Sequence, residues 1–148
     1  MVSIRDGIKK DLPALLELIK ELAIYEHALS EVDNTLEKME VDGFGEHPVF
    51  DFLVASEEDR VVGASVFYFR YSTWKGRRIY LEDLIVNEDF RGQGIGKMLL
   101  DATVEKARQR NCTGLMWQVL DWNEPAINFY KKYKVRFDEG WLNCHLDF

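Results

Sequence analysis

The stretch DFRGQGIGKMLLDATVEKA, beginning at Asp89, sets glycines at positions 92, 94 and 96 directly ahead of a helical pattern. Glycine at that density lets a backbone come close to a ligand and turn successive N–H groups toward it. Two phosphate-binding patterns do not fit. A P-loop has a glycine five residues before its Gly-Lys pair and Ser or Thr after it. Here position 91 is Arg91, and Met98 follows Gly96-Lys97. A dinucleotide fingerprint reads G-x-G-x-x-G, and Lys97 stands at its third glycine.

The 148 residues suffice for one domain with its own core, and no repeat or Pro/Gly-rich linker divides them. We therefore expect a single domain over 1–148. Nine Phe, six Tyr and four Trp argue against disorder. The net charge of -7 opposes nucleic-acid binding, which needs clustered Lys and Arg, and suits a cationic substrate. No apolar run is long enough for a membrane span or signal peptide. Cys112 and Cys144 are isolated thiols, and His27, His47 and His145 share no ligand spacing. We expect no metal and a reducing, cytoplasmic setting.

Periodicity predicts the order β-α-α-β-β-β-α-β-α-β, a mixed α/β sheet domain. VSIRDG opens as a strand. Asp11 is a plausible N-cap of a helix that turns Leu12, Leu15, Leu16, Ile19, Leu22 and Ala23 inward. A weaker helix runs through NTLEKMEV. VFDFLVAS and RVVGASVFYFRY form a hairpin, and RIYLEDLIV and GLMWQVLD are further strands. The helix after the glycine loop turns Ile95, Leu99, Leu100, Thr103, Val104 and Ala107 inward. Asn123 caps NEPAINFYKKY, with Pro125 in its first turn, and WLNCHLDF closes as a strand.

The remaining pattern, R-G-x-G-I-G between a strand and a helix, resembles the acetyl-CoA signature of GNAT acyltransferases at every position from Arg91 to Gly96. KELAIYE, DGFGEHP, YSTWKGRRIYLEDLIV, RGQGIGKMLL, LDWNEPAINFY and EGW follow in order. Together they resemble the diamine acetyltransferase family, which includes spermidine/spermine and thialysine acetyltransferases. The resemblance implies the GNAT fold, a mostly antiparallel sheet flanked by helices, with acetyl-CoA as co-substrate, no metal and a homodimer. It assigns the pyrophosphate to Arg91, Gly92, Gln93, Gly94, Ile95, Gly96 and Lys97. It assigns the pantetheine arm to the backbone of Leu84, Ile85 and Val86, where the strand splays from its neighbour, and to the helix start at Asn123, Glu124, Pro125 and Ala126.

Amine acetylation also needs proton traffic, because freeing an alkyl amine of its proton at neutral pH costs roughly 4 kcal/mol. The resemblance implies Glu82 as the group accepting that proton through water and Tyr130 as the acid donating to the departing sulfur. On spacing alone, Tyr130 reads first as a core aromatic alongside Ile127, Phe129 and Tyr133, and only the resemblance favours the acid; Glu82 also reads as an electrostatic anchor for the substrate. Strict alternation sends Glu82 and Asp83 to opposite faces. Tyr25, Glu26, Glu82, Asp83, Met116, Trp117, Gln118, Glu139 and Trp141 match family substrate positions. Acidic and aromatic groups suit an ammonium-bearing chain.

Two departures bear on the acceptor. Ser72 stands where polyamine-acetylating members carry aspartate, so YSTWKGR resembles the thialysine branch and favours a lysine-like amine. Lys134 stands where glycine normally ends the helix, in a shortened segment before Glu139, although a side chain enters the left-handed conformation less readily. A peptide-amine acetyltransferase and a non-catalytic acyl-CoA-binding module remain the alternative readings.

Overall fold

Five strands pair in the order β1-β2-β3-β4-β5: β1 Ser3–Asp6, β2 Asp51–Glu57, β3 Arg60–Ser72, β4 Gly76–Val86 and β5 Leu115–Met116. The first four are antiparallel neighbours, and β5 runs parallel to β4. The computed structural model describes residues 1–148, in two units, 1–117 and 118–148. The first unit holds the sheet with α1 (Leu12–Tyr25), α2 (Leu36–Phe44) and α3 (Ile95–Gln109); the second holds α4 (Glu124–Lys131).

Alternation along the strands makes two apolar faces. Phe52 and Val54 on β2, Ala64 and Val66 on β3, and Ile85 on β4 join Leu12, Leu15 and Leu18 of α1 and Met39 of α2 in one core. Each fully buried leucine there contributes about 1.5–3 kcal/mol. The intervening residues face α3. A Cβ on Gly63 would come within 2.9 Å of the Ile85 carbonyl and 3.2 Å of Leu99, so only glycine lets α3 lie this close to the sheet. Ile95, Leu99, Leu100, Thr103 and Ala107 are buried, as the helical spacing predicts, while Val104 is only half-buried.

Several expectations need correction. Asp11 precedes α1 but does not cap it with its side chain; its carboxylate accepts two bonds from Arg5 at 2.7 and 2.9 Å and one from the Ile8 N–H at 2.9 Å. That bidentate pair outcompetes a capping role and holds the Asp11 carboxyl below its usual range. Leu18 joins the α1 core while Leu16, Ile19 and Leu22 pack at its edge. The second helix continues through Gly43 to Phe44, and Thr35 caps it. GLMWQVLD yields only Leu115–Met116 as strand. WLNCHLDF forms no strand: residues 136–148 are all exposed, so its alternating apolar side chains face no layer that would select an extended ladder. Lys134 does adopt the left-handed conformation, at φ 56°.

The buried hydroxyls of Ser65 and Thr103 lie 2.6 Å apart, and Thr103 donates to the Leu99 carbonyl at 2.8 Å. The Thr103 proton is thereby spoken for, and Ser65 is the donor between them. Thr103→Val strands the Ser65 hydroxyl and is expected to cost about 1–3 kcal/mol. Adding Ser65→Ala should recover part of that loss, because no buried donor then remains unpaired. Urea unfolding of the single and double variants measures this, and strict additivity would contradict it.

Candidate active site

The glycine loop follows a short 3₁₀ turn, Glu88–Phe90, and ends at Gly94, the residue that precedes α3. Gly92 and Gly94 hold φ of 75° and 81°, and a Cβ on either would meet nothing within 4 Å. Glycine is thus required by backbone conformation, and the space outside the loop stays clear for a ligand. The first intrahelical bond runs from the Met98 N–H to the Gly94 carbonyl at 3.1 Å. The N–H groups of Ile95, Gly96 and Lys97 therefore present the positive end of α3 to an anion. A pyrophosphate fits this cradle.

Arg91 and Lys97 are engaged at the surface. Arg91 Nε donates to the Val86 carbonyl at 3.1 Å, its guanidinium lies 3.7 Å from Glu21, and it sits 5.5 Å from the Tyr25 ring centroid. This joins Tyr25 to the loop. Glu21, which sequence reasoning missed, also accepts from the Glu88 N–H at 2.8 Å and from Asn87 at 3.1 Å. One α1 carboxylate therefore pins the exit of β4. Lys97 pairs with Asp101 one turn along α3.

The register of β4 with β5 stops at Tyr80↔Met116, so Leu84, Ile85 and Val86 have a ladder partner only on the β3 side. The other edge of β4 carries backbone N–H and C=O groups that an extended amide-bearing arm can pair with. Ile85 is buried in the core; Leu84 and Val86 are half-buried.

A β-bulge overturns the expected separation of the two β4 carboxylates. Phe67 pairs with Leu81, but Val66 pairs with Asp83, which leaves Glu82 as an extra residue. Facing residues share a face, so Asp83 stands on the α1 side with Val66, and Tyr80 with Tyr68. Tyr68 donates to Glu82 Oε2 at 3.4 Å, which places Glu82 on that side as well. Strict alternation fails because the bulge adds one residue at this step. Glu26, at the end of α1, completes an acidic group. Although Asp83 keeps some contact with solvent, burial, reinforced by the charges of Glu82 and Glu26, pushes its carboxyl up to about 7. Burial also raises Glu26.

Sequence reasoning missed three further residues on this face. Tyr68 and Tyr80 stack with ring centroids 5.4 Å apart, and burial, then the charge of Glu82, raises both phenols. Arg70 lies over the Tyr80 ring, 5.7 Å from its centroid. The alternation in VFYFRY and RRIYLED carried the signal for all three. Met116, on β5, contacts Arg70 through its sulfur, and Trp117 follows, half-buried.

The remaining candidates lie in the second unit. Asn123 caps α4 by accepting from the Ala126 N–H at 3.4 Å, with Glu124 and Pro125 in the first turn. Tyr130 packs on Phe129, ring centroids 5.4 Å apart. Gln118 donates to Asn143 at 3.1 Å, while Glu139 and Trp141 sit in the exposed segment beyond α4.

The acetyltransferase (GNAT) family profile matches residues 12–134. A thialysine N-epsilon-acetyltransferase of Bos taurus is 43% identical over 151 residues, 95% of this chain and 89% of that protein. Its namesake in Mus musculus is 39% identical, covering 97% and 91%. Among solved structures, an aminoglycoside acetyltransferase from an uncultured soil metagenomic sample superposes with a TM-score of 0.79 at 22% identity. It covers 99% of this chain and 96% of its own.

Asp83 provides a direct test of the acidic face. An aspartate in the unfolded chain titrates near 3.9, whereas here the carboxyl sits at about 7. The fold therefore prefers its protonated form: that stability is whole below about pH 4 and is lost as pH rises through about 7. Asp83→Asn should melt at a higher temperature than the wild type at pH 8, with the gap closing near pH 4. Equal melting temperatures at pH 8 would contradict the crowding described.

Proposed function

Because this chain belongs to the acetyltransferase (GNAT) family, we propose that it moves acetyl from acetyl-CoA directly to the primary amine of a small diamine-like or lysine-like acceptor. It is an N-acetyltransferase; the size and type of the acceptor are the proposed part. The observation that carries it is the bulged face of β4, where Glu26, Glu82 and Asp83 gather beside the stacked Tyr68 and Tyr80. Carboxylates and ring faces attract an ammonium.

Bound acetyl-CoA supplies an acetyl thioester as the activated acyl group. In this reading the glycine loop and α3 hold its pyrophosphate, and the β4 edge with Asn123–Ala126 holds its arm. Glu82 accepts the amine proton through water, while the Tyr68 hydroxyl fixes the Oε2 end of that carboxylate. Tyr130 holds a proton for the departing thiolate. In this reading the chain is one acetyltransferase domain over 1–148, working as a homodimer in the cytoplasm. No helix is long and apolar enough to cross a membrane. Ser72 supports a lysine-like acceptor over a long polyamine. Its hydroxyl accepts from the N–H groups of Trp74 and Lys75 at 3.3 and 3.0 Å, serving the β3–β4 turn.

Acetyl-CoA consumption with spermidine, spermine, thialysine, lysine and a peptide amine tests the reading, and turnover of the lysine-like amines is expected. Turnover of the peptide alone would replace it with peptide acetylation. Binding of acetyl-CoA without turnover would leave a non-catalytic module. Tyr130→Phe should lower kcat by about 10²–10⁴-fold while acetyl-CoA affinity holds. An unchanged kcat would return Tyr130 to a packing role.

A further inference from the structure

Every polar group of Asn87, the first residue past β4, is bonded. Its N–H donates to the Val62 carbonyl at 2.8 Å, and its own carbonyl accepts from the Phe90 N–H at 2.9 Å. Its Oδ1 accepts from the Asp89 N–H at 3.2 Å, so Nδ2 is the end that donates to Glu21, at 3.1 Å. Turning the amide over would set oxygen against carboxylate and Nδ2 against an N–H. The Glu88 N–H donates to the other oxygen of Glu21 at 2.8 Å. Glu21 therefore takes two donors, one on each oxygen, from the segment that leads into the glycine loop.

A carboxylate has the wrong charge for a place beside an anion cradle, and Glu21 is half-buried there. Its acceptor chemistry accounts for it. A glutamine offers one acceptor oxygen, so it could not take both donors. The charge is offset locally by Arg91, whose guanidinium lies 3.7 Å from Glu21. Arg91 is itself held at two further points: Nε donates to the Val86 carbonyl at 3.1 Å, and the Tyr25 ring centroid lies 5.5 Å from the guanidinium. Tyr25 stands one helical turn beyond Glu21, so both α1 contacts of Arg91 come from one rigid element. The residue before the first loop glycine is thus fixed from α1 and β4 together.

We propose that Glu21 is a positioning residue for the coenzyme: by holding Asn87, Glu88 and Arg91 it sets the course of the chain into the glycine loop, without itself touching acetyl-CoA. This rests on the reading above that the loop holds the coenzyme pyrophosphate, and it names the side chain that keeps the loop in place. Charge and positioning predict opposite signs. Acting on the pyrophosphate through its charge alone, Glu21 would repel it, and removing that charge would tighten acetyl-CoA binding. Acting by position, the loss of one of its two acceptors loosens the entry to the loop and weakens binding.

Calorimetric titration with acetyl-CoA, in the absence of an acceptor amine, reads that sign. Glu21→Gln should weaken binding about tenfold and raise the acetyl-CoA KM to match, with kcat within about twofold. Adding Asn87→Asp should recover most of the loss, because the introduced carboxylate accepts from the introduced amide and still accepts from the Asp89 N–H. Melting curves of the same variants separate a folding defect from a binding one, since the double variant must regain affinity as well as stability. Glu17→Gln removes a charge from α1 one turn earlier, where Glu17 is exposed beside Lys20, and should bind as the wild type does. Equal or tighter binding by Glu21→Gln, a loss confined to kcat, or a double variant no better than the single one would overturn the positioning role and leave amine acetylation intact. A wild type that did not bind acetyl-CoA would overturn both readings together.

Discussion

A single extra residue in β4 governs the chemistry this sheet can present. From Ser72↔Gly76 to Phe67↔Leu81 the hairpin is in regular register, and beyond Glu82 every residue of β4 has moved one place along its partner. Without that shift Asp83 would stand opposite Ser65 on the α3 side, and Ile85 would stand opposite Gly63, where α3 leaves no room for a side chain. With it, Ile85 enters the α1–α2 core, and Asp83 joins Glu82 on one face. The bulge is therefore held by packing on one side and pays in electrostatics on the other, where a crowded carboxyl is pushed up to about 7.

The seating of α3 is the counterpart on the opposite face. Gly63 admits the first turns of the helix, and the Ser65–Thr103 hydrogen bond fixes its rotation two turns further on. Because α3 begins at Ile95, the same contacts aim its N-terminus and the glycine loop. Glu21 then ties the β4 exit to α1 through Asn87, Glu88 and Arg91. The loop is thus braced from both faces of the sheet, while the space beside Gly92 and Gly94 stays open. Such bracing suits a cradle built of backbone N–H groups.

Much of this was legible in the sequence, and the failures share a cause. The inward face of α3 follows from helical period alone, and the glycine loop from its spacing. Alternation misassigned Glu82 and Asp83 because it assumes unbroken register, and a bulge is set by packing across the sheet rather than by neighbouring residues. Asp11 looked like a cap because its position before Pro13 is local, whereas its partner, Arg5, lies on β1 and is brought near by the fold. WLNCHLDF alternates as a strand would, but alternation cannot supply a partner edge. Alternation within each strand puts Tyr68 and Arg70 on one face of β3, but that Tyr80 meets Tyr68 across the hairpin follows only from the register.

The hairpin register is defined at both ends by different physics. At the turn, the Ser72 hydroxyl accepts two backbone N–H bonds and starts the pairing at Ser72↔Gly76. At the far end, the bulge absorbs one residue so that apolar side chains meet the core. Between them, the order of charge along the face is a consequence of the register: a one-residue slip would carry Arg70 and Tyr68 to the α3 side and leave Glu82 facing apolar residues. Turn chemistry, core packing and the order of acid, aromatic and base therefore constrain one another. The polarity of the face is for that reason a property of the whole hairpin rather than of any one side chain.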